Sequence, residues 1–370
     1  MSFLASIVPA LIVLGLLIII HEFGHFLACR ISGVRVEKFS IGFGPEILSW
    51  QGKETRYAIS LLPLGGFVKP AGESISEVEE AGMKPGDYLA APLGARIFIV
   101  AAGVLMNYFL AFVLFTGIFL LGRPVPGTTI GGFVEGYPAK ASGLQAGDKI
   151  LAVDEKPVKS WRELTDTIEA APARNLRLKI ERNGQPVSLQ LDPKVETIKD
   201  LFGNLHEVKR LGITPDPRAG EFEKFGLLGS LREAWRTEWF LTAMTHKAIF
   251  YLLTGKLSMK TISGPIGIIT MTGTAAQLGL PYLLQLTATL SVSLAVINLL
   301  PVPALDGGHL FFLLIEGVRR KKVSLAFQER ATQAGFFLLL TLMVFIIYND
   351  LVNIEAFEKI KNLFQTAGSR

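Results

Sequence analysis

The chain has four long apolar runs separated by more polar segments. They lie near residues 3–29, 95–121, 281–304 and 334–348. Because one bilayer crossing takes about 20 to 25 apolar residues, the runs together account for about 90 residues and predict four transmembrane helices. Most of the chain therefore lies outside the lipid.

Two shorter apolar stretches have the spacing of amphipathic helices. Residues 239–253 read WFLTAMTHKAIFYLL, with His246 and Lys247 in the middle. A 15-residue stretch interrupted by these two side chains favours a helix lying on the outer membrane surface over a fifth crossing. Apolar residues at helical spacing in 351–364 predict a second interfacial helix.

The composition agrees with an integral membrane protein. Half of the 370 residues are apolar, only 19% are charged, and the mean hydropathy is +0.41, which excludes a simple soluble enzyme. The net charge of +5 comes without a long basic run, so no nucleic-acid partner is expected. A single cysteine, Cys29, excludes an intramolecular disulfide and a cysteine-rich metal site.

The distribution of basic residues predicts the membrane topology. Residues 1–20 contain no Lys or Arg, whereas Arg30, Arg35 and Lys38 follow the first run. By the positive-inside rule the N-terminus is outside, the first run is retained as a helix, and the basic residues 319–322 are cytosolic. Four spans satisfy every basic cluster and leave an external region from residue 122 to about 280.

A metal-binding pattern stands at the end of the first run. His21 and His25 are four residues apart, so they share one helix face and can reach one zinc ion. Glu22 beside them can accept a proton from a water molecule that the metal activates. Three ionisable side chains in an apolar helix are costly, which favours a functional site over a chance cluster.

The third run supplies a candidate third ligand. Residues 298–308 read NLLPVPALDGG, in which two prolines break the helix and Asp306 follows. His21 lies about 27 Å along the first helix, at 1.5 Å per residue, and so near its cytosolic end. The third run also travels inward, so Asp306 is expected at a similar depth.

Together these motifs resemble the site-2 protease family of intramembrane zinc metalloproteases. The match is to HEFGH at 21–25 and NLLPVPALDGG at 298–308, in that order. The family's bacterial branch, which acts in regulated intramembrane proteolysis, carries an external PDZ domain. The resemblance implies that His21, His25 and Asp306 bind Zn²⁺, that Glu22 is the general base, and that Asn298 lies where it helps to hold substrate.

The segment after the first span resembles the family's membrane-associated β-hairpin. LPLGGFVK at 62–69 carries this resemblance, and it implies substrate binding by Gly65, Gly66 and Phe67. From its pattern alone, 57–69 is either a cytosolic loop or an amphipathic hairpin near the active site, and the hairpin is preferred. An edge strand there would offer new partners for the backbone hydrogen bonds that a substrate helix loses when it unwinds before cleavage.

Two further segments relate to the same family. SGPIG at 263–267 resembles its segment before the third span. The second span departs from the family pattern, because 103–107 reads GVLMN where relatives often have a proline after the glycine. The role of Asn107 is left open.

The external region contains a pattern similar to a bacterial PDZ domain. Residues 130–193 alternate as strands around one amphipathic helix at 160–171, and Asn183-Gly184 reads as a hairpin turn. A PDZ groove accepts an extended peptide as an added strand, but a spacer that shields the active-site entrance fits equally well. The predicted divisions are 1–122 (first two spans), 123–195 (PDZ domain), 196–280 (external linker and amphipathic helices) and 281–370 (last two spans).

The predicted fold is therefore a polytopic α-helical membrane protein with about four transmembrane helices, one external α+β PDZ domain and a membrane-associated β-hairpin. The predicted function is hydrolysis of peptide bonds in transmembrane segments. Family resemblance implies single-pass substrates that are already trimmed, such as anti-sigma factors or signal-peptide remnants, and a place in the bacterial inner membrane. A membrane adaptor with a vestigial metal site is the alternative, and a transporter is disfavoured because no inverted repeat is visible.

Overall fold

The computed structural model describes residues 3–73, 82–199, 203, 205–216 and 219–353. The chain forms two compact units. A mainly helical unit comprises Met1–Gly117, Leu231–Leu252 and Ser258–Arg370, and a β-rich unit comprises Ile118–Ser230 and Leu253–Leu257.

In the described part of the chain, four helices are long and apolar enough to cross a membrane. The helices are α1 (Phe3–Ile31), α2 (Leu93–Leu121), α6 (Leu280–Asn298) and α8 (Leu325–Asn353). They coincide with the four apolar runs, so the prediction of four spans is confirmed. The third is shorter than its apolar run because prolines at 301 and 303 cannot continue the helix.

Besides the short helix of the β-rich unit, the described residues form three further α-helices that are too short or too polar to count among the candidate spans. They are α4 (Leu227–Leu253), α5 (Pro265–Leu278) and α7 (Asp306–Arg319). The predicted amphipathic helix at 239–253 forms the second half of α4. The predicted tail helix at 351–364 falls, from residue 354 onward, outside the described residues.

Helix α5 packs against α1 through small residues. A methyl group added at Gly273 would overlap the side chain of Ser6, which is buried. The N-terminus of α5 is capped from α8: the carboxylate of Asp350 accepts hydrogen bonds from the backbone N–H groups of Gly264, Ile266 and Gly267 at 2.9, 3.0 and 3.0 Å. These bonds satisfy donors that a helix start otherwise leaves without partners.

A curved antiparallel hairpin follows α1. Strand β1 (Val36–Gln51) pairs with β2 (Arg56–Pro70), and Ser40 pairs with Ala58 on one side and with Phe67 on the other. The turn is at 52–55, and 57–69 is a single strand that bends back along β1. The bend includes Gly65, whose φ of +119° suits glycine. The predicted hairpin is present, but it extends over 36–70, and 57–69 forms one of its strands with a bend at 63–66.

The β-rich unit is built on a four-stranded sheet in which the order of neighbouring strands is β6 (Lys156–Pro157), β5 (Lys149–Val153), β7 (Leu176–Arg182) and β8 (Gln185–Leu191). Asn183 and Gly184 join β7 to β8 with φ of +53° and +81°, so the predicted hairpin turn is present. One helix, α3, covers the predicted helical segment. The elements are β3 (Arg123–Pro126), β4 (Ile130–Phe133), β5 (Lys149–Val153), β6 (Lys156–Pro157), α3 (Trp161–Ala170), β7 (Leu176–Arg182) and β8 (Gln185–Leu191).

Four more strands extend this unit beyond residue 195, where the sequence placed the end of the PDZ domain. They are β9 (Lys194–Lys199), β10 (Leu205–Arg210), β11 (Ile213–Pro215) and β12 (Gly220–Glu223). Strand β11 pairs with β4, and β12 pairs with β3. The segment predicted as a linker therefore begins with strands that return to the start of the unit. These strands are short and rich in charged residues, so their apolar pattern is weak.

Candidate active site

Helix α1 brings its two histidines together near its C-terminal end. His21 and His25 are one turn apart, and their Nε2 atoms are 3.2 Å from each other. His21 is buried, at 7% exposure. His25 Nδ1 lies 2.8 Å from the carbonyl oxygen of Ile99 on α2. Because a carbonyl only accepts hydrogen bonds, Nδ1 carries the proton and the Nε2 lone pair of His25 faces His21.

Asp306 reaches the histidines from the start of α7. Its Oδ2 atom lies 3.0 Å from His21 Nε2 and 3.5 Å from His25 Nε2. The next residues, Gly307 and Gly308, pack directly on the turn after α6, where any side chain would overlap backbone carbonyl groups of residues 299–302. Glycine is needed here because the first turn of α7 folds back against the preceding loop.

The three side chains fit a metal ion. Their ligand atoms all lie within 4.8 Å of one another. Asp306 Oδ2 is buried and makes no hydrogen bond, so an electron-rich oxygen lacks a donor at this point. Two imidazole nitrogens and one carboxylate oxygen are a donor set that zinc accepts at catalytic sites.

Glu22 lies beside this cluster and contacts the hairpin. Its Oε2 atom accepts a hydrogen bond of 3.1 Å from the backbone N–H of Val68 in β2. A methyl group added at Gly66 would lie 2.7 Å from the Ser40 carbonyl oxygen and 3.6 Å from Glu22 Cγ. The absence of a side chain at Gly66 therefore lets β2 approach the backbone of β1 closely, whereas a methyl group would make only an ordinary contact with Glu22.

A cavity of about 660 Å³ opens onto the cluster. It combines the three metal-binding candidates and Glu22 with part of β2 and with polar residues near the start of α8. The lining residues include His21, Glu22, His25, Asp306, Phe67, Val68, Lys69, Pro70, Gln328, Glu329, Thr332 and Gln333. A polypeptide strand that entered this cavity would meet both β2 and the metal-binding side chains.

The predicted substrate-binding residues do not all reach this cavity. Phe67 lines it, Gly66 lies against Glu22, and Gly65 forms the preceding bend. Asn298 is at the end of α6, and the described residues that line the cavity do not include it. The role of Asn298 in holding substrate therefore stays a prediction.

Helix α2 supplies two residues whose roles the sequence did not predict. A methyl group at Gly103 would overlap His25 Nε2 and lie 2.8 Å from His21 Cε1. Asn107, one turn later, is fully buried, and its Nδ2 atom is 3.2 Å from His21 Nδ1. The spacing of four between Gly103 and Asn107 was the available signal, because it places both on one helix face.

The sequence pattern of Peptidase family M50 matches residues 9–342. The chain belongs to peptidase family M50. Zinc metalloprotease RasP of Geobacillus kaustophilus is 32% identical to this M50 protease, covering 94% of the chain and 98% of RasP. Metalloprotease MmpA of Caulobacter vibrioides is 34% identical, with 98% and 99% coverage. The M50 protease is thus a zinc metalloprotease, as the sequence motifs predicted, and a multi-pass membrane protein.

A similarity to solved structures concerns a smaller part of the M50 protease. The PDZ domain of an SdrC-like protein from Listeria innocua is 23% identical and has a TM-score of 0.19. The matched region covers 24% of this chain and 92% of the Listeria domain. The predicted fold class is confirmed as far as four apolar helices and a β-rich region that contains one helix.

Proposed function

We propose that this M50 protease is an intramembrane endopeptidase in which His21, His25 and Asp306 hold the catalytic zinc. The observation that carries the proposal is the convergence of these ligand atoms within 4.8 Å beside Glu22. The two histidines belong to a candidate membrane span, which supports cleavage inside or near the bilayer. One zinc ion per chain is expected, since three protein ligands leave one coordination position open.

Each residue then has a defined task. Zinc held by the three ligands would supply Lewis-acid activation of water and of the scissile carbonyl group. Glu22 accepts a proton from the attacking water and donates it to the leaving amine as the peptide bond breaks. The Val68 N–H group holds one carboxylate oxygen of Glu22, which leaves the other oxygen available for this proton.

The end of β2 is suited to receive an unwound substrate. Residues 66–70 pair with β1 along one side only, among the described strands. The Val68 N–H group points away from β1 towards Glu22, and backbone groups of alternate residues face the same side of a strand. A transmembrane helix that opens its own hydrogen bonds can therefore replace them by pairing with residues 66–68.

We further propose that the substrates are single-pass membrane proteins that have lost most of their external part, such as anti-sigma factors or signal-peptide remnants. The β-rich unit would act at the outer face, either as a size filter or by binding a peptide in its groove. Deleting residues 129–193 distinguishes these two roles. A filter predicts that cleavage extends to untrimmed substrates, whereas a peptide-binding groove predicts that cleavage of trimmed substrates is lost.

The proposed orientation is an external N-terminus and β-rich unit, with the active site on the cytosolic side of a bacterial inner membrane. Single cysteines in a Cys29→Ala background test it in intact cells. An impermeant thiol reagent should label Lys156→Cys and spare Lys53→Cys and Lys321→Cys. Labelling of Lys321→Cys from outside would contradict this topology.

Glu22→Gln tests the catalytic assignment. The variant should keep one zinc per chain, because the ligands are intact. It should lose cleavage by about 100-fold or more, the usual contribution of a general base. Glu329→Gln is the matched control, since Glu329 lines the same cavity without belonging to the metal cluster. Parental activity of Glu22→Gln would reject the mechanism.

A further inference from the structure

We propose that Asn107 is a positioning residue for the metal centre, whose amide oxygen accepts a hydrogen bond from His21 Nδ1. This inference rests on the proposed function, in which His21 Nε2 is a zinc ligand. The amide would fix the imidazole in the tautomer and the orientation that present Nε2 to the metal.

The position of Asn107 is fixed by its surroundings. The residue has 0% exposure, so its side chain has no access to water. Its backbone carbonyl accepts a hydrogen bond of 2.8 Å from Ser291 Oγ on α6. The only recorded hydrogen bond of its side chain, within the described part of the chain, is the one to His21 Nδ1 at 3.2 Å. A buried amide aimed at a single imidazole nitrogen is therefore well placed to control it.

The chemistry of the imidazole decides which amide atom must face it. A neutral histidine carries one N–H group, and the nitrogen that binds a metal cannot carry it. His21 Nδ1 must then be a donor, and it needs an acceptor in a buried site. An amide nitrogen cannot accept, whereas an amide oxygen can.

The structure allows this arrangement at little cost. The amide nitrogen now faces His21, but the oxygen and nitrogen of an asparagine amide are nearly equal in shape and exchange places when the group turns by 180°. The Oδ1 atom of Asn107 is buried and makes no hydrogen bond, so the turn breaks no bond made by that atom. After the turn, Oδ1 accepts from His21 Nδ1.

The second histidine provides an internal comparison. His25 Nδ1 already has an acceptor, the carbonyl oxygen of Ile99 at 2.8 Å. Ile99 and Asn107 are both on α2, eight residues or about two turns apart. One helix thus offers an acceptor to each histidine: a backbone group for His25 and a side chain for His21. Such partners of metal-binding histidines orient the ring and raise its basicity.

Zinc affinity tests the proposal on the full-length protein purified in detergent, by competition with a chelator. Asn107→Leu removes the acceptor at similar volume and should weaken zinc binding about 10- to 100-fold. Asn107→Asp keeps an acceptor oxygen and should restore most of the affinity. Ser291→Ala is the matched control, because it removes the contact to the Asn107 backbone but none to His21, and it should bind zinc as the parent does.

Three outcomes would overturn the inference or its basis. Parental affinity in Asn107→Leu would refute a positioning role. Equal weakening in Asn107→Leu and Asn107→Asp, with both proteins folded by thermal unfolding, would show that amide packing matters and not the acceptor. His21→Ala distinguishes a failure of the proposed ligand set from a failure of the role of Asn107. If His21→Ala keeps zinc at parental affinity, the ligand set is wrong. If His21→Ala loses zinc and the Asn107 variants do not, only the role of Asn107 is wrong.

Discussion

Replacing Gly103 by alanine places a methyl group against the two histidines that we propose as zinc ligands. The new Cβ atom would overlap His25 Nε2 and lie 2.7 Å from His25 Cε1, whereas ordinary van der Waals contact begins at 3.4 Å. The ring of His25 must therefore retreat by at least about 0.7 Å, and further for its Nε2 atom, which is the nearest. Zinc–nitrogen bonds tolerate only about 0.2 Å of displacement, so the ligand would be lost.

The neighbouring contacts prevent an easy escape. His25 cannot turn away without giving up its hydrogen bond to the Ile99 carbonyl. Helix α2 could relieve the overlap only by moving away from α1, which would give up the close contact between Gly24 and the backbone of Ala102, the residue before Gly103. We expect zinc affinity to fall by more than about 100-fold, beyond the range seen when only a partner of a ligand is removed.

Gly117→Ala is the matched control for this substitution. Gly117 is on the same helix, and an added Cβ atom there has no neighbour within 4 Å. It should therefore keep parental zinc binding and gain up to about 1 kcal/mol of stability, because alanine favours a helix interior. Zinc per chain and thermal unfolding of both purified variants are the measurements. Parental zinc affinity in Gly103→Ala would show that the metal does not bind where His21 and His25 meet.

Three further predictions concern other contacts. Gly66→Ala should slow cleavage without releasing zinc, because the methyl group would overlap the Ser40 carbonyl oxygen and distort the pairing of β2 with β1 beside Glu22; kinetics with metal analysis checks this. Asp350→Asn should lower the melting temperature, because a charged acceptor of three N–H bonds becomes neutral and the free energy of unfolding falls by about 1.5 to 3 kcal/mol. The control Glu54→Gln, which removes one charge of an exposed ion pair, should lower the free energy of unfolding by less than about 1 kcal/mol. The Arg182 guanidinium lowers the pKa of Asp148, so this pair stabilises the fold above the ordinary aspartate pKa and less as pH falls; the melting temperatures of the parent and Asp148→Asn should therefore converge on acidification.

The elements that the sequence predicted are those with a local signal. Four runs of apolar residues were sufficient to place four helices, because a bilayer crossing requires length and little else. The two histidines shared a face by helix geometry alone, and Asp306 was expected at the same depth. These inferences needed no knowledge of how the helices pack.

The contributions of α2 and β2 could not be read in this way. Gly103 is one glycine among 37, and only the packing of α2 on α1 shows that it lies against the two rings. Asn107 carried no sign of its partner, since His21 is 86 residues away. Residues 57–69 were ambiguous between a cytosolic loop and a hairpin, because their alternation is loose, and pairing with β1 decides for the hairpin.

Small residues hold together the two helices that carry and adjoin the proposed metal site. In lipid, helices gain no hydrophobic advantage from meeting, so close backbone contact through small residues must hold them. Gly24 brings α1 onto α2 at Ala102, and Gly103 leaves the space in which His21 and His25 face each other. The distance between the ligands is therefore set by the packing of two helix backbones. A side chain added at this contact acts on the metal geometry directly, so zinc binding should respond to it before the global stability of the protein does.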